Sequence, residues 1–144
     1  MKRIIFLILI TFIFCKTKEE KMADYIKCAN QQVGKKFTDN PKARGPDEFN
    51  GSSLIWYCRM MAGFDIGSTI YVNWKDVKYP KAGSNVFGIT KDNGKSVSTE
   101  KLGIVVSENP TMVVVGDEEQ GIIVKKELVI KKKYIRVEYQ YVDF

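Results

Sequence analysis

The stretch EFNGSSLIWYC, Glu48–Cys58, decides how this chain folds, because it opens with a polar turn and two serines at capping positions before turning apolar. Downstream of Ser52 the apolar positions Leu54, Ile55, Tyr57, Cys58, Met61 and Ala62 recur at helical spacing, and Gly63 supplies the stop. The segment is therefore the start of a helix. The place where such a start can hold a reactive side chain is filled by Gly51, which has none.

Toward the N-terminus, residues 21–34 predict an amphipathic helix with a stripe of Met22, Tyr25, Ile26, Ala29 and Val33, closed by Gly34. The intervening KKFTDNPKARGPDEFNG, 35–51, holds two prolines and two glycines and reads as a loop. A shorter helical stretch is expected over 68–75. Beyond Pro80 the texture changes to β-branched runs separated by turn signals: NVFGI, KDNGK, LGIVV, ENP, MVVV, GDEEQG and IIVKKELVI. A last run, Tyr134 to Tyr141, alternates Ile135, Val137, Tyr139 and Tyr141 with polar residues. Helices first and strands afterwards predict an α+β domain with a mostly antiparallel sheet of about five or six strands.

The chain of 144 residues suits one domain with a real core. Its first segment, MKRIIFLILITFIFC, places two basic residues before a short apolar run, the layout of a signal peptide over residues 1–15 and too short to span a bilayer comfortably. KTKEE, 16–20, then reads as a polar tether, with a single domain over 21–144. Secretion is the expectation. A lipoprotein anchored at Cys15 is the alternative, against which Phe14 argues, since lipoprotein processing wants a small residue before the cysteine. Membrane association is expected only through the leader or that anchor, and the oligomeric state stays open.

Removing Lys2 and Arg3 from the 23 basic residues leaves 21 against 17 acidic ones, a net charge of +4. The excess gathers in Lys125, Lys126, Lys131, Lys132 and Lys133, which read as a solvated edge strand or as a contact for an anionic surface polymer or lipid headgroups. No interleaving of aromatics and arginines suggests nucleic acid. Beyond the leader two cysteines remain. An exported protein could pair them, but Cys28 points roughly 120° away from the stripe of its helix and Cys58, on an apolar face, reads as a buried free thiol, so the pairing stays open with helical phase against it.

The chain contains no histidine. Nucleophile pairs that need an imidazole base are excluded, and so are histidine-built zinc sites; no metal or cofactor is expected. A Ser-x-x-Lys spacing occurs at Ser98–Lys101, but with seven serines and nineteen lysines about one such match arises by chance. It also precedes a strand rather than opening a helix. The carboxylate pairs Asp47–Glu48 and Glu118–Glu119 sit in hydrophilic turns, and GSN and DNGK fit hairpins rather than a phosphate loop.

Taken in order, GKKF at 34–37, FNGSSL at 49–54, GSNVF at 83–87, KLGIV at 101–105 and MVVVG at 112–116 resemble the motif series of the NlpC/P60 cell-wall peptidases, a permuted papain-like family. The resemblance covers nearly all of the chain after the leader. It places the family's nucleophilic cysteine on Gly51, its preceding aspartate on Asn50, its general-base histidine on Lys101, its third polar residue on Val114 or a neighbour and its tyrosine on Phe37. A thiolate held by a helix N-terminus and an imidazole has no counterpart here. Cys58 lies seven residues, about 10 Å, further along the helix and cannot substitute.

The resemblance thus implies a domain without peptidase activity whose groove holds a cell-wall peptide or related small ligand. The candidate binding residues are Phe37, Asn50, Gly51, Ser52, Ser53, Trp74 and Lys101. Two alternatives remain: a hydrolase using Ser52 or Ser53 with Lys101, and a structural or partner-binding domain contacting others through its late basic strands.

Overall fold

The computed structural model describes residues 16–64, 74–94 and 96–142; the leader and residues 68–73 of the expected third helix lie outside this set. Thr17 accepts from the Glu20 amide at 3.2 Å and caps α1 (Lys18–Gln31), with Glu19 and Glu20 favourably placed in its first turn. The helix therefore starts inside the expected tether and stops before Gly34, whose amide instead donates to Ile123 O at 2.8 Å.

Asn50, not a serine, caps α2 (Gly51–Ala62): its side chain accepts from the Ser53 amide at 2.8 Å while Ser53 Oγ accepts from the Asn50 amide at 2.9 Å. Gly63 closes the helix with a φ of 81°, a left-handed cap that any side chain would disfavour. The buried face carries Leu54, Ile55, Cys58, Ala62 and also Arg59, whereas Met61 is exposed.

Among the described residues the eight strands are β1 (Lys36–Phe37), β2 (Glu48–Phe49), β3 (Trp74–Val77), β4 (Asn85–Asp92), β5 (Ser96–Ser107), β6 (Met112–Asp117), β7 (Ile122–Glu127) and β8 (Arg136–Val142). They form one sheet in the order β2-β1-β7-β6-β5-β4-β8-β3, antiparallel except where β1 runs parallel to β2. The chain is thus α+β with two described helices. The excess over five or six strands comes from β1 and β2, two-residue pieces of the segment read as loop, and from β3, where the end of the expected 68–75 helix is strand. None has a sequence long enough to alternate; pairing with neighbours makes each a strand.

Both helices pack on one face of the sheet, where Met22, Tyr25, Phe49, Leu54 and Cys58 meet Phe87, Ile104, Val114 and Ile123. Tyr25 Oη donates to Asn85 Oδ1 at 2.7 Å, which satisfies two fully buried polar groups, and burial pushes the Tyr25 phenol well above its ordinary pKa. Cys28 and Cys58 form a disulfide between the helices, with Cα atoms 5.4 Å apart, which resolves the open pairing against the argument from helical phase and the reading of Cys58 as a free thiol. Of the expected α1 stripe of Met22, Tyr25, Ile26, Ala29 and Val33, Val33 is 42 % exposed, and the buried set is Met22, Tyr25, Cys28, Ala29 and Gln32. Cys28 lies within that face, turned toward α2.

The opposite face carries a smaller cluster of Val86, Val105 and Val113 with Leu102, Leu128, Val137 and Tyr139 around it. No described helix covers it. Residues 128–135 do, because β7 and β8 lie four strand positions apart and the chain between them must cross β6, β5 and β4. Leu128 N donates to Thr111 O at 2.9 Å and Ile135 N to Ile89 O at 2.8 Å, which pins this strap at both ends.

Candidate functional site

Asn50 is the residue on which the site is built. Besides capping α2, its Nδ2 donates to Asn40 O at 3.0 Å and Ala43 O at 3.4 Å, so the 38–47 loop is tied to the helix start. Gly51 follows as the first helical residue. A β-carbon on Gly51 would stand 2.9 Å from Lys101 Cδ and 3.7 Å from Lys101 Cβ, so the lysine stem lies directly across the position. Fifty residues of sequence separate the two.

Lys101 is aimed there by an irregularity of β5. Pairing with β4 runs Asn85↔Ile104 and Val86↔Gly103 but then Phe87↔Lys101, leaving Leu102 as the extra residue of a bulge. Gly103 accommodates this with a φ of 125°, close against Val113, Val115 and the carbonyl of Val114. The shift puts Lys101 on the helix face, opposite Phe87, and Glu100 on the strap face, opposite Gly88.

On its other side β5 stays paired with β6 only from Ile104↔Val114 onward toward Ser107, while β6 continues along β7 to Asp117. The two strands part beyond that pair. A cavity of about 680 Å³ occupies the opening, lined by Gly51, Asn50 and Leu54 from α2, Lys101 and Leu102 from β5, and Val114 and Gly116 from β6. Asp39, Glu118, Glu119 and Lys126 contribute charges of both signs to its walls, and Leu128, Lys131 and Tyr134 of the strap close its far side. Phe37 forms one flank: a β-carbon on Gly116 would run into its ring, so the glycine is the floor on which the phenyl lies.

Of the residues expected from sequence, the structure brings Phe37, Asn50, Gly51, Lys101 and Val114 to one cavity. Val114 is fully buried in the main core. Ser53 is buried and held in the capping box, and Ser52 is half-buried beside it. Trp74 begins β3, which stands six strand positions from β1, so the sheet does not bring it beside Phe37 as the opposite wall of a groove. Ser98 and Lys101, three residues apart on an extended strand, face opposite sides of the sheet, which removes the Ser-x-x-Lys arrangement. Lys125 and Lys126 do lie on the outer part of β7, beyond the Lys36↔Ile122 register with β1, but Lys131–Lys133 sit in the strap rather than on a strand.

A second polar group, not foreseen from sequence, adjoins the cavity. Tyr134 lies flat over Gly88, donates to Glu100 Oε2 at 2.7 Å, and is flanked by Lys133 Nζ, 3.0 Å from the same oxygen. Partial burial pushes the Glu100 carboxyl up, but the hydrogen bonds from Tyr134 and Lys133 outweigh it and hold the group below its usual range. Burial, then the Glu100 acceptor, push Tyr134 up to about 12. The only sequence signal was a glycine within a strand run, which marks a close approach. Among the described residues no cluster of three metal-ligating side chains occurs.

Comparison with protein-family models, curated proteins and solved structures gave no match to this chain.

Proposed function

We propose that the chain is an exported domain of NlpC/P60 type, without peptidase activity, that holds a cell-wall peptide or related small ligand in the cavity beside Gly51. The observation that carries this reading is the contact between Gly51 and Lys101 at a capped helix start. These are the two positions that the motif series assigns to nucleophile and base, and nothing in their own residue types would otherwise draw a glycine and a lysine together. The cavity supports binding: a helix N-terminus and Lys101 favour a carboxylate, while Asp39, Glu118 and Glu119 favour an amine, which suits a peptide carrying both.

Loss of catalysis is argued from chemistry. Gly51 has no nucleophile, Val114 has nothing to orient a base, and Ser53 spends its hydroxyl on the helix cap. Export is supported by the leader-like N-terminus and by the buried Cys28–Cys58 disulfide, a bond that persists in oxidising compartments. Titration with murein-derived peptides, followed by the amide resonances of residues 50–53 and 101–103, tests the reading. Shifts confined to those residues are expected, and unchanged resonances at saturating peptide overturn it. An amidase activity abolished by Lys101→Ala would instead establish the serine–lysine alternative.

A further inference from the structure

The strap has an exposed outer surface that the core does not use, and of its residues Val129 and Lys131 also reach the wall of the cavity. Its crossing from β7 to β8 covers four strand spacings, about 19 Å, whereas its eight residues reach about 26 Å when extended. There is little slack, and the inward side chains are committed: Leu128 to the small cluster, Tyr134 to Gly88 and Glu100. What remains outside is Val129 at 68 % exposure, Ile130 at 46 % and Ile135 at 61 %. Directly after Val129 and Ile130 come Lys131, Lys132 and Lys133, all exposed, and no acidic residue interrupts 128–135.

We infer that this surface docks on a bilayer rich in anionic lipid, with Val129 and Ile130 entering the headgroup–acyl boundary and Lys131 and Lys132 meeting phosphates. Aliphatic side chains beside cations are the pairing that an anionic bilayer rewards twice. A soluble polyanion would meet the lysines but leave Val129 and Ile130 in water. Lys133 is already engaged by Glu100 and serves to hold the strap down. The domain thereby gains a membrane contact of its own, independent of any leader or lipid anchor and on the sheet face away from the helices.

Hydrogen exchange of the full chain tests this locally, at the amides of residues 129–133, in the presence of phosphatidylcholine vesicles with and without one-third phosphatidylglycerol. Exchange is expected to slow roughly fivefold or more with the anionic vesicles only. Each lysine near such a surface is worth about fivefold in partitioning, so Lys131→Gln with Lys132→Gln is expected to demand about thirtyfold more lipid for equal protection. Val129→Ser with Ile130→Ser is expected to abolish the protection while leaving the unfolding temperature unchanged. No slowing, equal slowing on pure phosphatidylcholine, or the same slowing by soluble polyglycerol phosphate would each overturn the inference.

Discussion

Two glycines shape the cavity in opposite ways. At Gly51 the obstacle to a side chain is the far end of a flexible lysine, which can swing aside. Gly51→Ala is expected to change stability by less than about 1 kcal/mol in urea unfolding, helix propensity offsetting the displaced Lys101. At Gly116 the obstacle is the Phe37 ring, pinned by the Phe37 amide donating to Gly121 O at 2.8 Å. Gly116→Ala is expected to cost about 1–3 kcal/mol, read in the same measurement. The sequence singles out Gly51 and Lys101 separately, while their meeting depends on the β5 bulge at Leu102. The Glu100–Tyr134 pair was not legible, since which strand would lie under the strap is a matter of topology and no local pattern carries it.

For single elements, the α2 cap and the interhelical crosslink invite measurement. Asn50→Ala removes an acceptor from the Ser53 amide and frees the 38–47 loop, with an expected loss of about 1–2 kcal/mol. Replacing Cys28 and Cys58 together by alanine removes a crosslink spanning 30 residues, and roughly 3–4 kcal/mol of stability is expected to go with it in denaturant titrations. Both helices and the strands from Asn85 onward could be read from periodicity, because each is long enough to show its buried face. β1, β2 and β3 could not: two to four residues carry no period, and β1 and β3 pair with β7 and β8, far off in sequence. Cys28 was misplaced for another reason. The buried face of α1 is wider than the stripe, because the helix packs on α2 as well as on the sheet, and Cys28 and Gln32 are buried on that flank.

On the scale of the whole molecule, Glu100 and Tyr134 fasten the strap to the sheet within a pH window. Glu100 has a lowered pKa, so its stabilising effect is present above about pH 4.3, the ordinary glutamate value, and is lost as pH falls through the lowered one. Tyr134, raised from 10.0 to about 12, contributes below pH 10 and loses its contribution as pH climbs toward 12. Tyr134→Phe is therefore expected to cost roughly 1 kcal/mol or less at neutral pH, the group being partly exposed, with the difference from wild type shrinking at both extremes. Thermal unfolding across pH checks it. The sheet order has a further consequence. β8, the last of the described strands, is inserted between β3 and β4, and among the described residues β3 has no other neighbour in the sheet. Until residue 142 is available, a nascent or truncated chain presents the whole flank of β4 as an unfilled slot. Any chain cut before Arg136 is then an open template for a second copy, and its failure would be seen as aggregation rather than as a smaller stable domain.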